Sequence, residues 1–428
     1  MKLPLLAIGL MMAAPALAQQ APDNAPRAVV DRVADQIEAQ YFDPALARRI
    51  ADDLRQRAHS GTFDRMTDPF ALSQSLTTIL QAQDRHFRVN WRDPAKAAES
   101  GGIGFMPPDP ELAARRTGYG FRKVEILPGN IGYVDLAGFS PIDWTDPNFP
   151  TRLAADSALS LIARTDAVII DLRGNGGGHP TMVGYLASAF LAPDARPYNI
   201  FHSREGTESE GPQTPYAHPR PDVPLFILTS GRTASAAEAF AYTLQAAGRA
   251  TIVGDTSMGA ANPGGEVDAG GGYAIFISMG SPVNPITHGN WEGTGVVPQV
   301  KVTPDQALRD AQILALRAIL PRVEAGQKRD TQWALDALTA DPPAALDTAA
   351  YAGSFGDWKV VPETGRLSLR IGRRPPRILL PIGPDLFTVE NSPGLRYHFV
   401  RDGQNRITAL EFTDSDGFLN RQMKDGAD

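Results

Sequence analysis

"DAVIIDLRGNGGGHP", Asp166–Pro180, sets the organisation of the chain. Its first half is short and nearly all apolar, the pattern of a strand covered on both faces. It stops in "RGNGGGHP", a loop whose bare backbone N–H groups can approach a ligand closely. "TMVGYLASAFL" (Thr181–Leu191) follows with helical spacing. "VPLFILTS" (Val223–Ser230) repeats the buried-strand pattern and runs straight into "GRTASAAEAFAY", a second helical stretch. "RATIVGD" and "GYAIFISM" are further strands, and "PDQALRDAQILALRAIL" is a terminal helix. Upstream, "YGFRKVEIL" and "IGYVDLAGF" pair around Pro128-Gly129-Asn130, and a helix covers about 150–163. Strands alternating with helices predict an α/β fold with a substantially parallel sheet.

Outside this region the pattern changes twice. "AVVDRVADQIEAQYF" and "FALSQSLTTIL" place apolar residues at helical intervals, and Asp68-Pro69 is a good helix start. "DRHFRVNW" then reads as a turn into a strand. Beyond a Pro- and Ala-rich joint at 341–349, short strands such as "WKVVPE", "RLSLRI" and "YHFVRD" alternate with turns. They predict a separate small antiparallel β domain, a barrel or sandwich. The expected domains are an N-terminal helical subdomain at 26–92, an α/β core at 100–327 and the β domain at 346–428.

The first residues, "MKLPLLAIGLMMAAPALAQQ", belong to none of these. Lys2, a short apolar run and Ala16-Leu17-Ala18 make a secretory signal peptide at 1–18, cleaved after Ala18. The run is shorter than the about 20 apolar residues that span a bilayer. No other segment is apolar enough to cross, so no stable membrane anchor is expected. The expected location is periplasmic or secreted. The chain has no cysteine, which excludes thiolate catalysis, Cys-ligated metal and disulfides. The net charge is -7 and no basic stripe appears, which argues against a nucleic-acid partner.

The glycine loop lacks the order of a phosphate-binding P-loop or of a dinucleotide fingerprint. It could be no more than a tight turn that only glycines make. However, both buried strands end in special turns, and ligands gather at the carboxyl ends of strands in open α/β sheets. One loop can offer a nucleophile and the other an N–H for developing negative charge. Ser235 has a plain competing role. Ser235-Ala-Ala-Glu238 fits a capping box, and a capping serine is poorly placed to attack. Thr233 could be the cap instead.

These residues resemble a known group. "VIIDLRGNGGG", "LTSGRTASAAEAFAYTLQ", "RATIVGDTSMGAANPGG" and "GTGVVPQV" appear in the order of the tail-specific (C-terminal-processing) serine peptidase superfamily. The resemblance covers most of about 29–320 and implies a crotonase-like core with Ser235 as nucleophile. The tail-specific branch pairs its serine with a lysine, but here Ala260 stands at that position. Only residues 92–118 separate "HFRVNW" from "YGFRKVEIL", too few for that branch's PDZ domain. The chain is more similar to the branch of the tricorn core protease and interphotoreceptor retinoid-binding protein, which uses a histidine base. The resemblance assigns that base to His86, in Asp84-Arg85-His86, and matches Glu292 before "GTGVVP".

A serine needs a base to take its proton, and an imidazole suits that work near neutral pH. His179 beside the glycine loop and His288 are rivals to His86. Asp84 or Glu292 would orient the ring, and the sequence leaves the choice open. The oxyanion hole is expected from the N–H groups of Ala236 and of Gly176 or Gly177. Asp171 and Arg173 would hold the loop in shape. The reading is an exported serine peptidase acting on peptide or protein through an acyl-enzyme. No cofactor or metal is implied, and the oligomeric state is open. The alternatives are an apolar-ligand carrier on the same fold and an esterase.

Overall fold

A computed structural model of the chain describes residues 24–95, 109–341, 346–363 and 365–426. The expected signal peptide lies outside them. The chain forms two compact units: Met1–Gly104 with Gly264–Met279, and Phe105–Pro263 with Gly280–Asp428.

The first unit carries helices Pro26–Gln40, Pro44–His59 and Pro69–Gln81. Each starts with proline, whose missing N–H costs nothing in a first turn. Asp43 and Asp68 cap the second and third, the latter accepting the Ala71 N–H at 3.0 Å. Val29, Val33, Ile37, Leu54 and Leu76 form the buried face. An antiparallel sheet covers it, in the order Arg88–Trp91, Tyr273–Ser278, Gly264–Gly270. The hairpin at 264–279 therefore belongs with the N-terminal helices, whereas the sequence reading placed it in the α/β core. Its alternating Tyr273, Ile275 and Ile277 complete the helical cluster. Local periodicity marks a strand without saying which sheet it joins.

The second unit is built on a six-stranded sheet. Its order is Val300–Lys301, Thr251–Gly254, Leu225–Thr229, Ala167–Asp171, Ile131–Leu136, Phe121–Leu127. All neighbours are parallel except the last pair. The apolar run of the opening stretch is buried on both faces, as its pattern predicts. Val168 and Ile170 enter one core with helices Pro150–Leu161, Pro180–Ser188 and Ala236–Ala246. Ala167 and Ile169 enter the other, under helix Pro304–Ile319. Asp171 lies in register with Leu228, so the glycine loop and the Ser235 turn leave the same edge of the sheet.

At the C-terminus, eight consecutive strands from Gly353–Phe355 to Leu419–Met423 form an antiparallel meander. A bridge between Phe355 and Lys424 brings its first and last strands together, making a nearly closed barrel. Phe355, Leu367, Phe387 and Phe399 fill its interior. Helix Lys328–Thr339, which fell between the ranges read from sequence, joins this barrel to the core. Arg396 of the barrel stacks 4.8 Å from the Trp333 ring and donates to Asp336 at 3.1 Å. Among the described residues, no helix is long and apolar enough to cross a membrane.

Candidate active site

Ser235 sits where the Leu225–Thr229 strand turns into helix Ala236–Ala246. Its backbone has φ 55° and ψ −122°, a conformation that non-glycine residues avoid. Such strain costs about 1–3 kcal/mol and persists only where the surroundings enforce it. The enforcing residue is Glu238, fully buried. Its carboxylate accepts the Ser235 N–H at 2.8 Å, the Gly259 N–H at 2.6 Å and the Ala260 N–H at 2.9 Å. It also accepts the Ser257 hydroxyl at 2.5 Å. Ser235 and Glu238 thus have the capping-box arrangement, with the Ser235 Oγ facing the Glu238 N–H and the Glu238 carboxylate making the tight half. Thr233 is structural as well: its Oγ1 donates to the Leu172 carbonyl at 2.8 Å and accepts the Ser230 N–H at 3.0 Å.

The glycine loop packs directly behind the serine. A Cβ on Gly177 would lie 2.8 Å from the Ser235 Cβ and 3.2 Å from the Ala236 nitrogen, so only glycine fits. The φ of 113° at Gly177 enforces the same choice. Its N–H donates to the Asn175 Oδ1 at 2.9 Å, so the oxyanion donor expected there is already engaged. Gly176 is different, because an added Cβ there meets nothing within 4 Å. Ala236 opens the helix, where N–H groups have no intrahelical acceptor. Asp171 anchors the loop base, taking the Arg173 guanidinium at 2.6 Å and the Tyr133 hydroxyl at 2.8 Å. Burial pushes the Asp171 carboxyl up, but these hydrogen bonds outweigh it and leave the group below its ordinary range.

In the other unit, Asp84 and His86 come together. The Asp84 Oδ1 meets the His86 Nδ1 at 2.9 Å and accepts the His86 N–H at 2.9 Å. Its Oδ2 accepts the Ser278 hydroxyl at 2.8 Å and the Tyr41 hydroxyl at 3.2 Å. Burial raises this carboxyl, and the bonds to His86 and Ser278 prevail and lower it. An ionised carboxylate only accepts, so the His86 Nδ1 carries the proton and the lone pair of the neutral ring lies on Nε2. That is the tautomer a general base needs.

His179 is engaged at a helix start. It caps helix Pro180–Ser188, its Nδ1 lying 2.8 Å from the Thr181 Oγ1 and 3.3 Å from the Thr181 nitrogen. Burial lowers its pKa, opposed in part by Glu208. His288 is exposed in a loop, its N–H donating to the Asn284 carbonyl at 2.9 Å. Glu292 accepts the N–H groups of Ala261 at 2.8 Å and Asn262 at 3.2 Å, binding the segment after Ala260.

Residues 130–302 match peptidase family S41. A 174-residue stretch, 40% of this chain, is 28% identical to the carboxy-terminal processing protease CtpB of Bacillus subtilis. These matches support a likeness to the tail-specific protease superfamily over that part of the chain. A second relative, the carboxyl-terminal-processing protease of a Picosynechococcus species, is 26% identical over 213 residues, 49% of this chain. The chain spans 34% and 46% of the lengths of these two relatives. Among solved structures, a photosystem II D1 C-terminal processing protease has a TM-score of 0.45 at 17% identity, over 68% of this chain and 98% of that one. The tricorn protease has a TM-score of 0.39 at 11% identity, over 67% of this chain and 35% of that one. The sequence motifs single out Ser235 and the glycine loop as candidates. They did not single out Asn175 or the fully buried carboxylate of Glu238, which the sequence offered only as a capping partner.

Proposed function

We propose that the chain is an exported serine peptidase on a crotonase-like core. The carrying observation is Ser235, held at positive φ in the turn between a buried strand and a helix, with the glycine loop packed against it. A strand-to-helix turn that presents a serine in this way has the character of a nucleophile elbow. Ser235 Oγ attacks the peptide carbonyl, and His86 Nε2 takes its proton. Asp84 holds the ring and stabilises the imidazolium. The N–H groups of Ala236 and Gly176 receive the oxyanion, each worth about 3 kcal/mol in the transition state. His86 returns the proton to the leaving amine, and water then releases the acyl group. Glu292 shapes the neighbouring 260–262 segment. Ala260 has no side chain that can act as a base, which accords with a histidine mechanism. The short interval between residues 92 and 118 accords with the lack of a PDZ domain. Export rests on the apolar start of the chain and its Ala16-Leu17-Ala18 site.

Peptide-library cleavage read by mass spectrometry tests this, comparing the chain with Ser235→Ala. Cleavage by the first and not by the second is the expected result. Cleavage by both would place the nucleophile elsewhere. Silence from both would return weight to a carrier of apolar ligands, and turnover of small esters alone would make the enzyme an esterase.

A further inference from the structure

The glycine loop is shaped by one of its own residues, whose side chain is out of reach of solvent. Asn175 is fully buried between the two loops of the site. Its Nδ2 donates to the Leu136 carbonyl at 2.9 Å, and its Oδ1 accepts the Gly177 N–H at 2.9 Å. One partner is an acceptor and the other a donor, so the amide has a single satisfied orientation. Its main-chain carbonyl accepts the Ala234 N–H at 3.1 Å, one residue before the nucleophile. Three segments therefore meet at this one side chain and its carbonyl: the end of the Ile131–Leu136 strand, the glycine loop and the Ser235 turn.

The bond to Gly177 has a directional consequence. Successive N–H groups in a tight loop point to different sides. Drawing the Gly177 N–H onto Oδ1 fixes which neighbouring N–H groups remain available. Among the described residues, the Gly176 and Ala236 N–H groups have no protein acceptor, whereas those of Ala234, Ser235 and Gly177 are all engaged. We propose that Asn175 is a positioning residue, which aims the glycine-loop N–H that receives the oxyanion and locks this loop to the nucleophile turn. This rests on the peptidase reading of Ser235. Its effect falls on transition-state stabilisation, because an oxyanion donor is matched to the reacting oxygen and contributes little to ground-state binding.

The test uses the full chain, Asn175→Ala and the isosteric Asn175→Asp, with a peptide substrate identified from the library. Asn175→Ala is expected to lower kcat about 100-fold, the usual consequence of losing one oxyanion donor. KM should stay within about threefold, and affinity for a peptide aldehyde should fall in parallel with kcat. Asn175→Asp keeps an acceptor for the Gly177 N–H but loses the donor to Leu136, so its kcat should fall between the two. Amide exchange of the 175–178 segment should quicken in Asn175→Ala while thermal unfolding remains cooperative. Near-parent kcat in Asn175→Ala, or a fall confined to KM, would overturn the positioning role while leaving the peptidase reading intact. A parent chain that neither cleaves peptides nor binds the aldehyde would remove both.

Discussion

At the scale of single residues, Glu210 makes a sharper demand on the fold than any group in the proposed site. It is buried, its Oε2 accepts the Asn199 Nδ2 at 2.8 Å, and its Oε1 has no partner. Burial pushes its carboxyl up to about 8, opposed by the Asn199 hydrogen bond. The folded state therefore keeps a proton that the unfolded chain releases above about 4.5. Stability contributed by this group should fall as pH rises from about 4.5 to about 8 and then level off. Glu210→Gln removes the titrating group, so the variant should gain on the parent across that window. The gain should be on the order of 4 kcal/mol at its upper end. Denaturant unfolding from pH 5 to 9 measures it, and parallel curves for the two proteins would refute the assignment. Asp84 has the opposite sign: its lowered pKa gives stability above the ordinary carboxylate range and loses it in acid. Asp84 was legible from the sequence because a motif surrounds it. Glu210 was not, because nothing in "SEGPQ" distinguishes a buried acid from an exposed one.

At the scale of elements, the sequence was most legible where physics is local. The proline starts of the first three helices follow from neighbours in the chain, as do the strands buried on both faces and the glycine turn. The carboxylate of Glu238 shows where locality ends. The S-x-x-E spacing indicated a helix start, but three of its partners, Ser257, Gly259 and Ala260, lie beyond the next strand. Glu238 therefore joins the helix, the strained serine and the 257–260 loop in one cluster. In Glu238→Gln, one oxygen becomes an NH2 group that faces donors instead of accepting from them. Two of the four hydrogen bonds are lost, at about 1–3 kcal/mol for each stranded buried donor. The expected result is a lower denaturation midpoint together with a lower peptidase rate, because the serine backbone loses its restraint. A variant that keeps both the parent's midpoint and its rate would show that the turn holds its shape without the carboxylate.

At the scale of the whole molecule, composition marked the β region at 346–428 but not how it attaches. The Pro- and Ala-rich joint resembles a domain boundary, and the barrel does have its own apolar interior. The helix that precedes it is the less visible part, because Lys328–Thr339 serves both sides. Ala334 is buried in the cluster beneath the parallel sheet, with Leu316 and Ile319. On its other side, Trp333 and Asp336 receive Arg396 of the barrel. Burial lowers the Arg396 pKa, and Asp336 works against that by favouring the charged form. The position of a cut should therefore matter more than the loss of the barrel itself. A chain ending at Ala340 retains the helix and should unfold cooperatively, with Trp333 newly exposed. A chain ending at Gln327 uncovers Ala334's neighbours as well. Opening a packed apolar face of this kind typically costs about 2–5 kcal/mol. Thermal unfolding of the two truncated chains decides between these expectations. A clear deficit for the shorter chain would assign the helix to the α/β core. Equal midpoints would assign it to the barrel, with the core already complete at residue 327.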